Sequence, residues 1–289
     1  MLQAKSLLAA FVRIVASAKL QPPQLSLSLL IVVPTLNSHY LLPRLLFSLK
    51  AQSWPHWRLL FIDGPSDPEH RKWLAQCCAV ESRCRWLTQD PAEPGIFGAM
   101  NQGFAEAAFD DWLLFWGSDD WAAGPAVFAH IAICLERAAS QCLLPDLLVC
   151  RGRYVNADSG ALARPTVFQA TGTLSTATYR RALWFGSTPP HQATLFGPGA
   201  RSHLARYASG FRLSADLDFF LQLSNHPGLR VQCLDLELVH MAEGGVSGQQ
   251  NQRRLQEVRC AYRRAFAWRW WFPFMARYIR RLASLLGRR

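Results

Sequence analysis

The sequence predicts an α/β protein with a doubly wound, mostly parallel sheet that is flanked by helices. Strand-like apolar runs alternate with helix-like segments over the first 120 residues. The strand-like runs are Leu25 to Val33, Trp57 to Ile62, Arg85 to Thr88 and Leu113 to Trp116, and helical patterns occur at Leu41 to Gln52 and Pro68 to Val80. This alternation favours parallel strands joined by right-handed crossovers. Half of the 289 residues are hydrophobic, so the chain can bury a large core.

The formal net charge of +11 lies almost entirely at the C-terminal end. From Arg253 to Arg289 there are eleven arginines and one acid, Glu257, which gives this segment +10 and leaves +1 for residues 1–252. A nucleic-acid-binding domain shows a basic face of its own. We therefore expect no nucleic-acid-binding body, and we predict a basic, aromatic helical tail over residues 251–289.

The eight cysteines show no paired spacing typical of metal ligands, and several lie within apolar runs. Free cysteine in such surroundings behaves as a small hydrophobic side chain. This usage indicates a reducing compartment without a disulfide framework, so we expect a cytoplasmic protein.

Residues 1–24 are predicted to be an amphipathic N-terminal segment. They weakly resemble a signal peptide, but Arg13 interrupts the apolar stretch and leaves a very short core. A helix that lies in the plane of a membrane is the preferred interpretation. No segment reaches the roughly 18 uninterrupted apolar residues that a membrane span requires.

Two adjacent carboxylates, Asp119 and Asp120, follow the apolar strand pattern that begins at Leu113. Open α/β sheets bind ligands just beyond the carboxyl ends of their strands. Acids in that place can hold a hard divalent cation, which in turn holds a diphosphate. The alternative is a solvated turn that caps the next helix, a role that aspartate also fills.

Three further motifs precede this strand. One strand pattern ends in Val-Pro-Thr-Leu-Asn (33–37), a second ends in Ile-Asp-Gly (62–64), and Gly-Ile-Phe-Gly-Ala-Met-Asn-Gln-Gly follows at 95–103. With Ser-Asp-Asp at 118–120, the set resembles a family 2 glycosyltransferase of the GT-A fold, similar to bacterial surface-polysaccharide glycosyltransferases. The resemblance covers residues 29–121. It implies a GT-A-like fold, a nucleotide-diphosphate sugar as donor and a divalent metal, Mg²⁺ or Mn²⁺.

The resemblance assigns roles in donor binding to several residues of these motifs. They are Thr35, Asn37, Asp63, Gly95, Asn101 and Asp119, with Asp120 as the metal ligand. A carboxylate at Asp63 suits paired donor groups of a nucleobase or ribose, although this residue could instead serve the turn before Gly-Pro. Asn101 could instead satisfy a loop carbonyl. Relatives of this subgroup usually carry aspartate where this chain has Gly98, so a donor contact is lost or supplied elsewhere.

The expected general base lies in the second half of the body, at the start of a predicted helix. Ser214 is a suitable N-cap, and Asp216 and Asp218 follow in the first turn. Acids there are also ordinary helix-start chemistry, because the helix dipole favours them. The family places its base in this motif, and Asp216 matches that base better than Asp218.

Three residues are candidates for the acceptor or phosphate side of the site, namely His191, Gln192 and His240. A structurally satisfied histidine is the alternative for His191. The glycine-rich segment 244–247 resembles the flexible loop that family members carry near the donor site. We divide the body, residues 25–250, into a nucleotide-binding half (25–121) and an acceptor half (122–250).

The tail interleaves arginines with aromatic residues, a composition that fits an interfacial helix on anionic lipid. Pro273 is expected to kink or split it. RNA binding through aromatic stacking and a packed helix with a solvated basic face are the alternatives.

The resemblance predicts an inverting glycosyltransferase that moves a sugar from a nucleotide-diphosphate sugar to an acceptor hydroxyl. The acceptor is expected to be a lipid-linked or saccharide intermediate of cell-surface polysaccharide or glycolipid synthesis, reached at the inner face of the cytoplasmic membrane. Two alternatives remain at this point: a nucleotidyltransferase of similar fold, and a non-catalytic sugar-binding or membrane scaffold.

Overall fold

The structure is a computed structural model, and it describes residues 27–156, 160–166, 168, 170–243 and 251–286. The strands in these ranges are β1 (Ser28–Thr35), β2 (Trp57–Asp63), β3 (Cys84–Thr88), β4 (Asp111–Phe115), β5 (Asp120–Ala122), β6 (Leu147–Val155), β7 (Leu162–Pro165), β8 (Gly172–Leu174), β9 (Thr194–Phe196) and β10 (Val231–Ala242). The α-helices are α1 (Leu42–Lys50), α2 (Pro68–Val80), α3 (Ile96–Glu106), α4 (Val127–Ser140), α5 (Thr176–Trp184), α6 (Pro198–His203), α7 (Ala215–Leu223), α8 (Asn251–Phe266) and α9 (Trp271–Leu286).

The strands form one sheet in the order β3-β2-β1-β4-β9-β6-β10-β5, with β7 paired to β6 and β8 paired to β10. Pairing is parallel from β3 through β4 and again between β6 and β10. Since β9 runs antiparallel to both β4 and β6, the latter two strands point the same way. The carboxyl ends of β1, β2, β4 and β6 therefore share one edge of the sheet. The predicted α/β fold is confirmed.

Alternation along the first strands places apolar side chains on both faces of the sheet. In β1, Leu30 and Val32 join one core cluster, while Leu29 and Ile31 join the other. Helices α3, α5, α7 and α8 contribute to the first cluster, and α1, α2 and α4 contribute to the second. A strand that is buried on both faces reads as a continuous apolar run, which is why the sequence indicated these strands so clearly.

The first tail helix, α8, belongs to the packed body. Its residues Val258, Ala261, Tyr262 and Phe266 are buried in the same core cluster as α7. The predicted division at residue 250 therefore does not separate two packing units. The expected boundary was based on the change in charge along the sequence. The apolar residues of α8, however, recur at helical spacing and pack against the body.

The tail breaks earlier than predicted. A 3₁₀ turn at Ala267–Arg269 separates α8 from α9, and Ala267 has a positive φ of 48°. Pro273 lies in the first turn of α9, where its missing N–H costs no helical hydrogen bond. Proline thus helps to start the second helix and does not kink the first.

Two predicted segments, the N-terminal segment 1–24 and the glycine-rich loop 244–247, lie outside the described residues. Within the ranges that the structure covers, no helix combines the length and the apolar character needed to cross a bilayer.

Candidate active site

Several of the predicted donor-side residues lie at the carboxyl ends of β1, β2 and β4. Thr35 and Asp63 are register partners at the last positions of β1 and β2. The Ser118 hydroxyl, just after β4, lies 2.8 Å from the Ser38 hydroxyl and 3.3 Å from the Pro34 carbonyl oxygen. The loops that follow β1 and β4 therefore meet at one sheet edge, as parallel topology requires.

Asp119 and Asp120 form the electrostatic centre of this edge. The Gly117 backbone N–H donates to Asp120 Oδ2 at 2.6 Å, and Asp120 is 3% exposed. Burial raises the pKa of Asp120 well above its ordinary value, and the charge of Asp119 adds to the effect. Burial also raises the pKa of Asp119. Two desolvated carboxylates side by side are costly when both are ionised, and a divalent cation removes that cost.

The donor set at this point suits a hard cation. Carboxylate oxygens are ligands that Mg²⁺ and Mn²⁺ prefer, and Asp120 offers an oxygen that Gly117 already orients. Among the described residues, no group of three or more histidine, cysteine, aspartate or glutamate side chains is arranged to hold a metal. A cation at these aspartates would therefore need further oxygen ligands from a bound molecule, as Mg²⁺ sites on phosphate substrates do.

Asp63 is fully buried and hydrogen-bonded to the protein. Thr35 Oγ1 and Ser66 Oγ donate to its Oδ1 at 3.0 and 2.6 Å, and Arg71 Nε donates to its Oδ2 at 3.3 Å. His70 Nε2 lies 3.1 Å from Oδ1, and burial lowers the pKa of His70 and favours its neutral form. The structure thus gives Asp63 the turn-stabilising role that the sequence allowed. A nucleoside contact stays a prediction and requires Ser66 or Arg71 to turn away.

The β1 loop fixes the start of α2. Asn37 has a positive φ of 49°, and its Oδ1 accepts a hydrogen bond from the Asp67 backbone N–H at 2.8 Å. Its own N–H donates to Ser66 Oγ at 3.0 Å. Asparagine tolerates this left-handed conformation better than most residues. The 66–67 turn therefore holds the backbone conformation of Asn37 in place. The residue itself is exposed.

Gly95 is the N-cap of α3 and has a positive φ of 88°, a conformation that favours glycine. Its carbonyl oxygen accepts a hydrogen bond from Gln89 Nε2 at 2.6 Å. The same amide donates to the Glu93 carbonyl oxygen at 2.7 Å. Gln89 thereby folds residues 89–95 into a compact turn over the start of α3.

Asn101 has the second of its two predicted roles. Its Oδ1 accepts the Tyr207 backbone N–H at 2.6 Å, and its Nδ2 donates to the Tyr207 carbonyl oxygen at 3.2 Å and to Glu93 Oε2 at 3.1 Å. The amide satisfies a loop, as the alternative interpretation of the sequence allowed. The predicted donor contact of Asn101 stays a prediction.

His191 connects this loop to the sheet. Its Nε2 lies 2.6 Å from the Tyr207 hydroxyl, and its ring stacks on Phe115 at 5.7 Å between centroids. Burial lowers the pKa of His191, although the nearby charge of Asp216 opposes that shift, so the ring is favoured in its neutral form. The next residue, Gln192, accepts a hydrogen bond from Trp116 Nε1 through its backbone carbonyl at 2.9 Å.

Asp216 and Asp218 differ sharply in environment, although both lie in the first turn of α7. Asp218 is 2% exposed, and its carboxylate accepts hydrogen bonds from Arg264 Nη1 at 2.5 Å and Gln222 Nε2 at 3.4 Å. Asp216 is only half-buried and is close enough to His191 and Tyr207 for its charge to act on both. Asp218 is therefore held in place as an anchor of the helix, whereas the role of Asp216 as the base stays a prediction.

His240 lies on the strand that pairs with Asp120. In the β5–β10 pair, Met241 is opposite Asp120 and His240 is opposite Trp121, whose ring it meets edge-on at 5.7 Å. Its Nε2 lies 2.9 Å from Glu237 Oε1. A carboxylate that holds one ring nitrogen fixes the orientation of the other. The predicted phosphate-side role of His240 stays a prediction.

The structure around Gly98 explains why this chain has glycine where relatives usually carry aspartate. A Cβ at this position would lie 1.8 Å from the Glu93 carbonyl oxygen, so the 89–95 turn occupies the space of a side chain. The Glu93 carboxylate reaches Asn101 at 3.1 Å and also pairs with Arg206. An acid is therefore present nearby, but it comes from the turn and not from α3.

Replacing Gly98 by aspartate is expected to displace the 89–95 turn and to destabilise the fold by about 1–3 kcal/mol, the usual cost of overpacking. Thermal unfolding would show a lower melting temperature. The matched control is Gly124→Asp, since a Cβ at Gly124 meets nothing within 4 Å. Equal melting temperatures for the two variants would contradict this account of the turn.

Several residues that shape the site carried no signal in the sequence. Tyr207 contacts His191 and also Asn101, which lies 106 residues earlier than Tyr207 in the chain, and Trp116 ties the β4 end to Gln192. Neither contact follows a local motif. Only the apolar run before Gly117 hinted that Trp116 would be buried.

Comparison with known proteins shows that part of this chain resembles a known family. Residues 30–133 match the model of Glycosyl transferase family 2. Relatives described as PGL/p-HBAD biosynthesis glycosyltransferase, from Mycobacterium bovis and Mycobacterium tuberculosis, are 26% identical over 219 residues, which cover 75% of this chain and 78% of theirs. The matched region contains most of β1 and all of β2 through β5, and with them the predicted donor side of the site.

Solved structures share the fold. S. aureus TarS 1–349 in complex with UDP-GlcNAc aligns with a TM-score of 0.62 and 14% identity, covering 83% of this chain and 67% of that one. The mannosyltransferase PcManGT from Pyrobaculum calidifontis, in complex with GDP-Man and Mn²⁺, aligns with a TM-score of 0.54 and 12% identity, covering 82% and 63%. This chain covers 64% of the length of another S. aureus TarS 1–349 structure. Together with the family match, these findings confirm the predicted resemblance and the GT-A-like fold.

Proposed function

We propose that this chain, which resembles family 2 glycosyltransferases over residues 30–133, is an inverting, metal-dependent glycosyltransferase. It would move a sugar from a nucleotide-diphosphate sugar to the hydroxyl of an acceptor. The relatives named for glycosyl transfer and the neighbours with bound sugar nucleotides support the donor class. The geometry of the acids at the sheet edge supports the mechanism.

The observation that carries the proposal is the pair of desolvated acids after β4. Burial raises the pKa of both Asp119 and Asp120, and no positive side chain among the described residues contributes to either shift. Such a pair destabilises the protein unless it binds something positive, so its retention points to ligand binding. Asp120 would hold Mg²⁺ or Mn²⁺, and Asp119 would lie at the ribose or the metal shell. When bound, the cation would neutralise charge on the departing diphosphate.

Asp216 is the proposed general base. It is half-buried, it lies in the first turn of α7, and its carboxylate is not held by a buried ion pair like that of Asp218. Asp216 would accept the proton of the acceptor hydroxyl as that oxygen attacks the anomeric carbon, while the bond to the diphosphate breaks. One base and a single displacement give inversion at that carbon. His191, neutral and held by Tyr207, would border the acceptor side.

A panel of UDP-, GDP- and dTDP-sugars tests the donor class. We expect one of them to bind in the presence of Mn²⁺ or Mg²⁺ and to be consumed when an acceptor is supplied. Binding without turnover on any lipid-linked or saccharide acceptor would favour the sugar-binding scaffold. Consumption of a nucleoside triphosphate with a sugar phosphate would favour the nucleotidyltransferase, for which the 34–37 segment lacks a basic, glycine-rich phosphate loop.

The outer face of the tail supports a membrane-bound acceptor. We define the tail surface as the exposed aromatic and aliphatic side chains Trp268, Trp271, Phe272, Met275 and Ile279. Trp271, Met275 and Ile279 recur every four residues and so share one stripe of α9. Exposed arginines lie on α8 and in the 3₁₀ turn before this stripe, among them Arg259, Arg263 and Arg269. An apolar stripe with an arginine border fits the boundary of an anionic bilayer.

Packing of α8 on the body leaves this surface free to face a membrane. The enzyme would then be cytoplasmic and peripherally attached to the inner face of the cytoplasmic membrane, where a lipid-linked acceptor is within reach. The neutral body and the buried face of α8 argue against the RNA-binding alternative, since phosphate contacts need a continuous basic face.

Changing Trp271 and Ile279 together to serine is expected to weaken binding to vesicles of phosphatidylglycerol and phosphatidylcholine by at least about tenfold. Burying one large apolar side chain stabilises by about 1.5–3 kcal/mol, and about 1.4 kcal/mol corresponds to a factor of ten. Phe109→Ser is the matched control, because Phe109 is 90% exposed and lies far from the tail in sequence. Sedimentation with vesicles measures the effect, and equal binding by the two variants would refute the membrane surface.

A further inference from the structure

The turn that precedes α7 is held by a carboxylate from the tail. The backbone N–H groups of Arg212, Leu213 and Ser214 donate to the Glu257 carboxylate at 3.0, 2.7 and 2.9 Å. Glu257 lies on α8 and is 7% exposed. Three successive N–H groups that converge on one anion form a strong, charge-assisted contact.

This contact replaces the cap that the sequence predicted. Ser214 occupies the N-cap position of α7, but its side chain makes no capping hydrogen bond. The predicted N-cap position of Ser214 is confirmed, but the capping contact comes from a residue 43 positions further along the chain. No local pattern encodes such a contact, since it depends on the docking of α8.

A second contact joins the same two helices. Arg264 Nη1 donates to Asp218 Oδ2 at 2.5 Å. Glu257 and Arg264 are seven residues apart on α8, two helical turns on one face, so together they grip α7 at its entry and within its first turn. Asp216 lies between the two points that are gripped.

We propose that Glu257 is a positioning residue that sets the orientation of Asp216 through the 212–214 turn. The inference rests on the proposed role of Asp216 as the base. Asp216 follows the last of the three N–H donors by two residues, so a shift of that turn moves its carboxylate. A displacement of about 1 Å at a reacting group can reduce the rate by about 10²-fold. Through Glu257, the tail thus holds the proposed base in position on the acceptor side of the site.

Glu257→Gln tests the proposal, because the amide puts an N–H donor in place of an oxygen that accepts one or two of these backbone N–H groups. We expect kcat to fall by roughly 10- to 100-fold while the donor KM stays within about twofold, since the donor side lies on other elements. The matched control is Arg253→Gln. Arg253 Nε contacts Glu257 Oε1 at 3.0 Å from the solvent side, and its loss leaves the three backbone contacts in place, so kcat should stay within about threefold.

A readout that does not depend on activity separates this inference from the proposed function. Hydrogen exchange at the amides of residues 212–214 should accelerate in Glu257→Gln and stay unchanged in Arg253→Gln. Unchanged exchange in Glu257→Gln would overturn the proposal whatever the activity. Faster exchange with kcat within threefold of the wild type, or a rise in donor KM alone, would also overturn it.

Glu257→Asp guards against a variant that does not fold. It keeps the charge and shortens the reach by one methylene, and the same thresholds for kcat and exchange apply to it. If the wild-type protein transfers no sugar while exchange responds as expected, the proposed function fails and the catalytic consequence of Glu257 fails with it. In that case the contact between Glu257 and the 212–214 turn would be purely structural.

Discussion

Replacing Asp216 by asparagine is expected to reduce sugar transfer by roughly 10²- to 10⁴-fold, the usual contribution of a positioned general base. Asparagine keeps the shape of the side chain but cannot take the acceptor proton. Affinity for the sugar nucleotide should stay within about twofold, since the predicted donor residues lie on the ends of β1, β2 and β4 and at α3, and not on α7. Steady-state kinetics and a binding titration measure the two effects separately.

The control for this substitution is Asp235→Asn. Asp235 forms an exposed ion pair with Arg151, and its carboxylate is 82% exposed, so its loss should leave both transfer and donor affinity unchanged. Turnover by Asp216→Asn within threefold of the wild type would remove Asp216 as the base. A loss of donor binding in that variant would instead assign Asp216 to the donor side.

Replacing Asp120 by asparagine is expected to have two opposite effects. Metal-dependent transfer should fall to background, because the amide does not bind a hard cation as a carboxylate does. In the absence of metal the melting temperature should rise at neutral pH, because the variant no longer buries an uncompensated charge. Asp110→Asn, at an exposed position ahead of β4, should change neither property.

The sign of the pH dependence follows from the direction of the shift. The folded-state pKa of Asp120 is raised, first by burial and then by the charge of Asp119, so folding favours the protonated form. The stabilising contribution of this group is present at low pH, below the unfolded pKa, and is lost as pH rises through the raised folded pKa. Without metal, the melting temperature of the wild type should therefore rise relative to that of Asp120→Asn as the pH is lowered through this range. A constant difference between the two proteins across that range would contradict the assignment.

Much of the fold could be predicted from the sequence, because the elements that build the donor side are marked locally. The apolar run 113–116 predicted β4, and the pattern from Pro68 to Val80 predicted α2 with the observed bounds. The order of the motifs predicted that Thr35, Asp63 and Asp120 would share one sheet edge. Strand topology alone brings such residues together.

The contacts that decide how each residue acts could not be predicted. Asp63 is enclosed by Ser66 and Arg71, and Asn101 is taken up by the backbone of Tyr207. Each of these outcomes depends on side chains that meet only after folding. Glu257 illustrates the same limit. From the sequence it is only the single acid of the basic tail, yet it lies buried against the turn before α7.

The most direct test of the account is a calorimetric titration of UDP and GDP into wild-type protein and Asp120→Asn, with and without Mn²⁺. The buried acids after β4 should make nucleoside diphosphate binding depend on the cation in the wild type. We expect at least one of the two nucleotides to bind the wild type only when Mn²⁺ is present, and Asp120→Asn to show no such gain. Equal dependence on Mn²⁺ in both proteins would contradict the claim that Asp120 holds the metal.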